Sequence, residues 1–135
     1  VNPTNALQAL LVQSLLADPR VTAIVGDRVW DDIPDDPEHP YCSIGPHYHN
    51  RSDSDCIRAR EHYFQIDCWT QQQGRRDQIN DLTDAVESLL DGLVGDLGEH
   101  ALVTSDVVLV RVLDDPDGDK HGVIQVRAIV EEKVS

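Results

Sequence analysis

Two β-branched runs near the end of the chain, residues 107–113 and 123–130, are separated by Asp114-Asp115-Pro116-Asp117-Gly118-Asp119. Pro presets one backbone angle, while Gly and Asp tolerate a tight return, so this string is turn chemistry. The two runs read as an antiparallel hairpin, and any fold for this chain must contain the sheet that holds it. A third strand is written in His62-Tyr63-Phe64-Gln65-Ile66-Asp67-Cys68-Trp69. There Phe64, Ile66 and Cys68 point one way while Gln65 and Asp67 point the other, the alternation of a half-buried strand. Tyr41-Cys42-Ser43-Ile44 and Asp27-Arg28-Val29-Trp30 add two shorter extended runs, and the Pro- and acid-rich residues 31–40 interrupt them.

Helical spacing occupies the rest. Leu7, Leu10, Leu11 and Leu15 recur at steps of three and four, with Thr4 or Asn5 able to cap the start and Pro19 beyond the end. Residues 20–25 add about one more helical turn, closed by Gly26. Ile79, Leu82, Val86, Leu89, Leu90 and Leu93 form the stripe of a second long helix, with Gly92 and Gly95 at its stop. The expected fold class is α+β: a mainly antiparallel or mixed sheet with two long helices packed on one face. With 135 residues, one domain spanning 1–135 is expected, built on one core.

Composition narrows the function. Asp and Glu number 25 against 11 Lys and Arg, a net charge of -14. A nucleic-acid-gripping protein carries the opposite sign, because phosphate binding depends on Lys and Arg. No apolar run approaches the roughly 20 residues that span a bilayer, so no membrane partner is expected. Residues 1–5 carry neither the basic region nor the apolar stretch of a secretory signal, and folding in a cytoplasm is the expectation. Cys42, Cys56 and Cys68 are odd in number and widely spaced, which argues for reduced thiols over a disulfide framework or a zinc knuckle.

Three constellations invite a chemical reading. His47-Tyr48-His49 would place two imidazoles on one face of a strand, a spacing metal sites use, yet His39, Asp53 and Cys56, the candidates for further ligands, sit in irregular segments. Asp115, Asp117 and Asp119 alternate as in a calcium loop, but β-runs flank them and the EF-hand glycine and glutamate are missing. Asp31-Asp32 and Asp35-Asp36 offer carboxylates without a basic or nucleophilic companion. The expectation is no catalytic residue, no metal ligand and no cofactor. The classes kept open beside a structural protein are a metal-dependent enzyme using His47 and His49, and an acidic DNA mimic.

Several strings, in order, resemble the phage tail-terminator or tail-completion family, the small tail components of long-tailed phages and gene-transfer particles. They are the Leu-rich first helix followed by Leu16-Ala17-Asp18-Pro19-Arg20-Val21-Thr22-Ala23-Ile24-Val25-Gly26-Asp27-Arg28-Val29-Trp30, then Pro40-Tyr41-Cys42-Ser43-Ile44-Gly45. A strand over residues 61–70 ending in Trp69-Thr70, a helix over 78–90 and His121-Gly122-Val123-Ile124 complete the set. The resemblance implies a virion protein at the head-proximal end of a tail, assembled in the host cytoplasm. Its members form a ring, usually homo-hexameric, that stops polymerisation of the major tail-tube protein and meets a head-side connector or stopper protein. DNA would pass through the lumen without specific binding, and an acidic lumen would suit that. A head-tail connector of related fold is the alternative. Against the acidic background, an expected mobile loop from Asn50 to Arg60 concentrates Arg51, Arg58 and Arg60. Guanidinium groups pair well with carboxylates, so these three are the candidate contacts to a neighbouring subunit or the tube.

Overall fold

The computed structural model describes residues 2–54, 56–72 and 75–133. The chain opens with α1 (Pro3–Ala17) and α2 (Pro19–Val25), then β1 (Val29–Trp30), β2 (Tyr41–Arg51) and β3 (Arg58–Thr70). Helix α3 (Asp77–Leu90) follows, and β4 (Asp96–Leu97), β5 (His100–Asp114) and β6 (Lys120–Glu132) complete the order. The strands form one sheet in the order β1-β2-β3-β6-β5-β4. β1 runs parallel to β2, and every other neighbouring pair is antiparallel.

This corrects the expected α+β layout of two long helices packed on one face of a sheet. Among the described residues there are three short helices, of 15, 7 and 14 residues, against a six-stranded sheet curled into a half-barrel. The physical reasons lie at particular residues. Pro19 has no N–H to continue α1, and Asp18 takes an extended conformation before it. The Asp18 carboxylate then accepts from the amides of Arg20 and Val21, so residues 19–25 start afresh as a capped helix instead of a trailing turn. The curl comes from irregularities in the ladders: between Ile44 and His47 on β2, and between Leu102 and Thr104 and again Val107 and Leu109 on β5. Such bulges bend a strand and increase its twist.

The core lies between the helices and the concave face of the sheet. Leu7, Leu11 and Leu15 of α1, Val21 and Val25 of α2, and Ile79, Leu82, Val86 and Leu90 of α3 pack with Phe64, Ile66 and Cys68 of β3 and Ile124, Val126 and Val130 of β6. The alternation read in β3 is therefore correct, with Cys68 inside and its Sγ 3.7 Å from that of Cys42. The hydrogen-bonding contact with Cys42, and then burial, push the Cys68 thiol well up, and all three cysteines are free. Helix α3 approaches β6 at Gly122, where an added Cβ would lie 2.4 Å from Thr83 Cγ2 and 3.2 Å from Ile79 Cδ1. Beyond the helix, Gly92 turns the chain at a φ of 75° and its N–H donates to the Ser105 carbonyl, while Ser105 Oγ donates to the Leu90 carbonyl. The end of α3 is thereby fastened to β5.

Candidate functional site

The three arginines singled out by the sequence lie on a β-hairpin, where a mobile loop was expected. Arg51 ends β2, while Arg58 and Arg60 open β3. Ser52 N–H donates to the Ala59 carbonyl, Ser54 and Ile57 bond each other across the turn, and Asp53 Oδ1 accepts from the Ala59 amide at 3.0 Å. Asp55, within the expected loop, lies outside the described residues. The hairpin forms because local polar groups close the turn and because β3 has β6 to pair with along its whole length, Arg58 opposite Glu132 through Thr70 opposite Lys120.

Register brings the arginines together with the histidines. Arg51 lies opposite Arg60, His49 opposite His62, and His47 opposite Phe64. Residues two apart along a strand share a face, and directly paired residues do too. His47, His49, Arg51, Arg58, Arg60 and His62 thus continue the face that carries Phe64 and Ile66 in the core, out to where His47, His49 and Arg51 are exposed. In a chain of charge -14 this stripe holds three of the cations. Arg60 pairs with Glu132, and Arg51 Nη1 lies 3.6 Å from a Glu132 oxygen and 3.9 Å from Asp53. Arg58 is exposed, and no ion pair joins it to a described residue. Two of the arginines are therefore engaged within the subunit and one faces outward.

His62 is fully buried, with neither ring nitrogen hydrogen-bonded to a described group. Burial first, then the neighbouring His49, Arg60 and His47, lower its pKa to about 4, which keeps the imidazole neutral near pH 7. The ring stands 5.0 Å from that of His49, whereas His47 stacks on Phe64 at 4.6 Å. Among the described residues no three His, Cys, Asp or Glu side chains are arranged to hold a metal ion, and His39, Asp53 and Cys56 do not join this group. At the β5–β6 turn, Asp114 pairs with Lys120 at 2.8 Å and with Arg76, and Asp119 lies 3.2 Å from His39. Asp114 thus faces two cations of the chain and Asp119 faces an imidazole. Asp31, Asp32, Asp35 and Asp36 are exposed.

The convex face carries an array that sequence reasoning missed. Asp67 Oδ1 lies 2.7 Å from His121 Nε2 and accepts from Gln65 Nε2 at 2.9 Å, and Trp69 stacks on His121 with ring centroids 3.8 Å apart. Tyr41 links Trp69 to Trp30 and His39. Further along β3, Glu61 accepts from Arg127 and from Tyr63, which holds its carboxyl below the usual range. Alternation already placed Gln65, Asp67 and Trp69 on one face, but only the β3–β6 register sets His121 beside them. The Asp67–His121 contact joins β3 to β6.

The whole chain is similar to known proteins. Residues 9–131 match the family model described as tail completion protein gp17. The chain belongs to that family. Its fold matches a chain from the virion of a native gene transfer agent particle with a TM-score of 0.87 and 27% identity, covering 96% of this chain and 97% of that one. It also shares the fold of the bacteriophage SPP1 gp17 protein, with a TM-score of 0.58 and 24% identity over 92% of this chain and 88% of that one. Among curated protein sequences, none matches. A tail completion protein is a viral structural protein of the phage tail, and its role is virion assembly.

Proposed function

We propose that this tail completion protein is the ring subunit that ends tail-tube polymerisation and joins the tube to the head-side connector. The near end-to-end match to a virion chain of a gene transfer agent carries this reading. In it, copies close into a homo-hexameric ring at the head-proximal end of the tail. One ring face matches the last tube ring, and the other lacks the surface that would accept further tube subunits. The acidic surface suits a lumen through which DNA passes without adhering. The hairpin cations Arg51, Arg58 and Arg60 contact an acidic neighbour, with Arg58 foremost because it is not committed to Glu132.

Deleting the gene from a producing strain tests the reading. The expected result is heads without joined tails together with tubes of uncontrolled length. Tails of normal length that fail only to attach would indicate the head-tail connector role instead. At the residue level, Arg58→Glu should weaken ring or tube attachment, most at low salt where screening extends about 30 Å at 0.01 M. The far-ultraviolet spectrum of the free subunit should stay unchanged. Normal attachment by this variant at every ionic strength would remove Arg58 from the interface.

A further inference from the structure

Among the described residues the sheet is left open on both sides. β4 covers β5 only at His100 and Ala101, and the chain beyond α3 covers it only at Ser105 and Val107, through Gly92 and the Asp91 carboxylate. From residue 108 to 114 no described segment pairs with the outer edge of β5. On the other side, β1 covers β2 only at Cys42 and Ser43, and no described segment pairs with the outer edge of residues 44–51. Soluble proteins usually protect such edges with charge, proline or a short strand. β5 does the reverse. Val103, Val108 and Leu109 are exposed, at 55%, 50% and 38%, and Arg111 is the one charge within residues 107–113.

We infer that the open edge of β5 receives the open edge of β2 from the next copy of this chain, so that the sheet runs on from subunit to subunit. The inference rests on the ring reading above and names its joint. Three observations select this occupant. First, β2, β3, β6 and β5 are antiparallel in succession, so β2 and β5 run in opposite senses, and β2 of a like-oriented neighbour meets β5 antiparallel. Second, the edges differ in charge where Arg51 would arrive. Residues 44–51 contain no acid and end in Arg51, whereas exposed Asp106 precedes the open part of β5, whose own Arg111 lies near its middle and whose Asp114 is paired with Lys120 and Arg76. Pairing β5 with β5 about Val110 would set Asp106 opposite Asp114, like charges that oppose pairing, and would leave β2 open. Third, the two open stretches lie at opposite ends of the sheet. Ile44 is level with Ile66, Ile124 and Val110, while Arg51 is level with Arg60, Val130 and Leu102. Joining them therefore staggers adjacent copies along the strands, and stagger with strand tilt is what closing a sheet into a barrel requires. A head-to-tail joint of this kind generates a ring when its rotation closes.

Thiol cross-linking of the full chain tests the joint. In a Cys56→Ser background, one population carries Leu109→Cys and another Asn50→Cys, since both positions are partly or fully exposed and the remaining thiols are buried. The populations are mixed at concentrations where light scattering reports a closed oligomer and are treated with a short bismaleimide. The expected product is a covalent pair that needs both variants. Val108→Lys with Leu109→Lys should weaken self-association at least tenfold while the circular dichroism and melting of the subunit persist. A cross-link formed by Leu109→Cys alone would show two-fold β5 pairing and overturn the inference. Closed oligomers with no cross-link, undisturbed by the lysines, would overturn the joint and leave the ring reading standing. A chain that stays monomeric at all concentrations would overturn both.

Discussion

At the residue scale, His62 is the side chain whose placement contradicts its chemistry most. It sits fully buried without a described hydrogen-bond partner, and its pKa of about 4 lies below the ordinary 6.5. Between those two values the unfolded chain binds a proton that the native state refuses. The stability this residue permits is thus complete above about pH 6.5, falls as the pH drops toward 4, and levels off below that. From pH 7 to pH 5 the loss attributable to His62 is about 2 kcal/mol. His62→Phe keeps the volume beside Phe64 and removes the titration. Urea unfolding of both proteins at the two pH values should show the variant gaining about 2 kcal/mol relative to the parent at the lower pH. Parallel curves would mean that water or a nearby group solvates the imidazole.

At the element scale, the position of α3 over the sheet is set by a glycine. With Thr83 Cγ2 at 2.4 Å from the site of a Cβ on Gly122, and Cys68 Cβ at 3.4 Å, even alanine forces the helix outward. Gly122→Ala should cost about 1–3 kcal/mol, the usual range for overpacking a filled interior. Thr83→Ser deletes the obstructing methyl yet keeps the hydroxyl that donates to the Asn80 carbonyl. The double variant should recover a substantial part of the loss in thermal or urea unfolding. If the two costs simply add, the clash lies elsewhere, since sites in contact are the ones whose effects fail to add.

At the scale of the molecule, a charge of -14 on a subunit of this size makes self-repulsion a term of its own. Local ion pairs such as Arg20–Asp84 and Arg127–Glu61 offset only part of it. Raising ionic strength from about 0.01 M to about 0.15 M shortens the screening length from about 30 Å to about 8 Å, which damps the repulsion more than the close contacts. The melting temperature of the free subunit should therefore rise with salt. Scanning calorimetry would read this directly, and a fall would show that ion pairs outweigh the net charge. We further propose that the chain unfolds as one cooperative unit, because one buried cluster joins all three helices to the sheet. Agreement of calorimetric and van't Hoff enthalpies is the expected outcome, and two separable transitions would refute it.

Local pattern was enough to locate what depends on near neighbours. The leucine spacing of α1, the stripe of α3, the alternation of Phe64, Ile66 and Cys68, and the turn between β5 and β6 all follow from periodicity and from residues a few positions apart. The ordered strings from Leu16 to Ile124 likewise carried the family. Long-range pairing lay beyond that reach. Nothing local says that Arg58 will face Glu132 across the sheet, and without β6 alongside, the residues between Asn50 and Arg60 look too polar to be strand. The same holds for His62, whose burial comes from its neighbours, and for His121, which meets Asp67 only through register. The curl of the sheet and the two edges it leaves open belong to tertiary structure as well. They arise where bulges and short strands end the pairing, and a hydrogen bond between distant strands leaves no periodic trace in either of them.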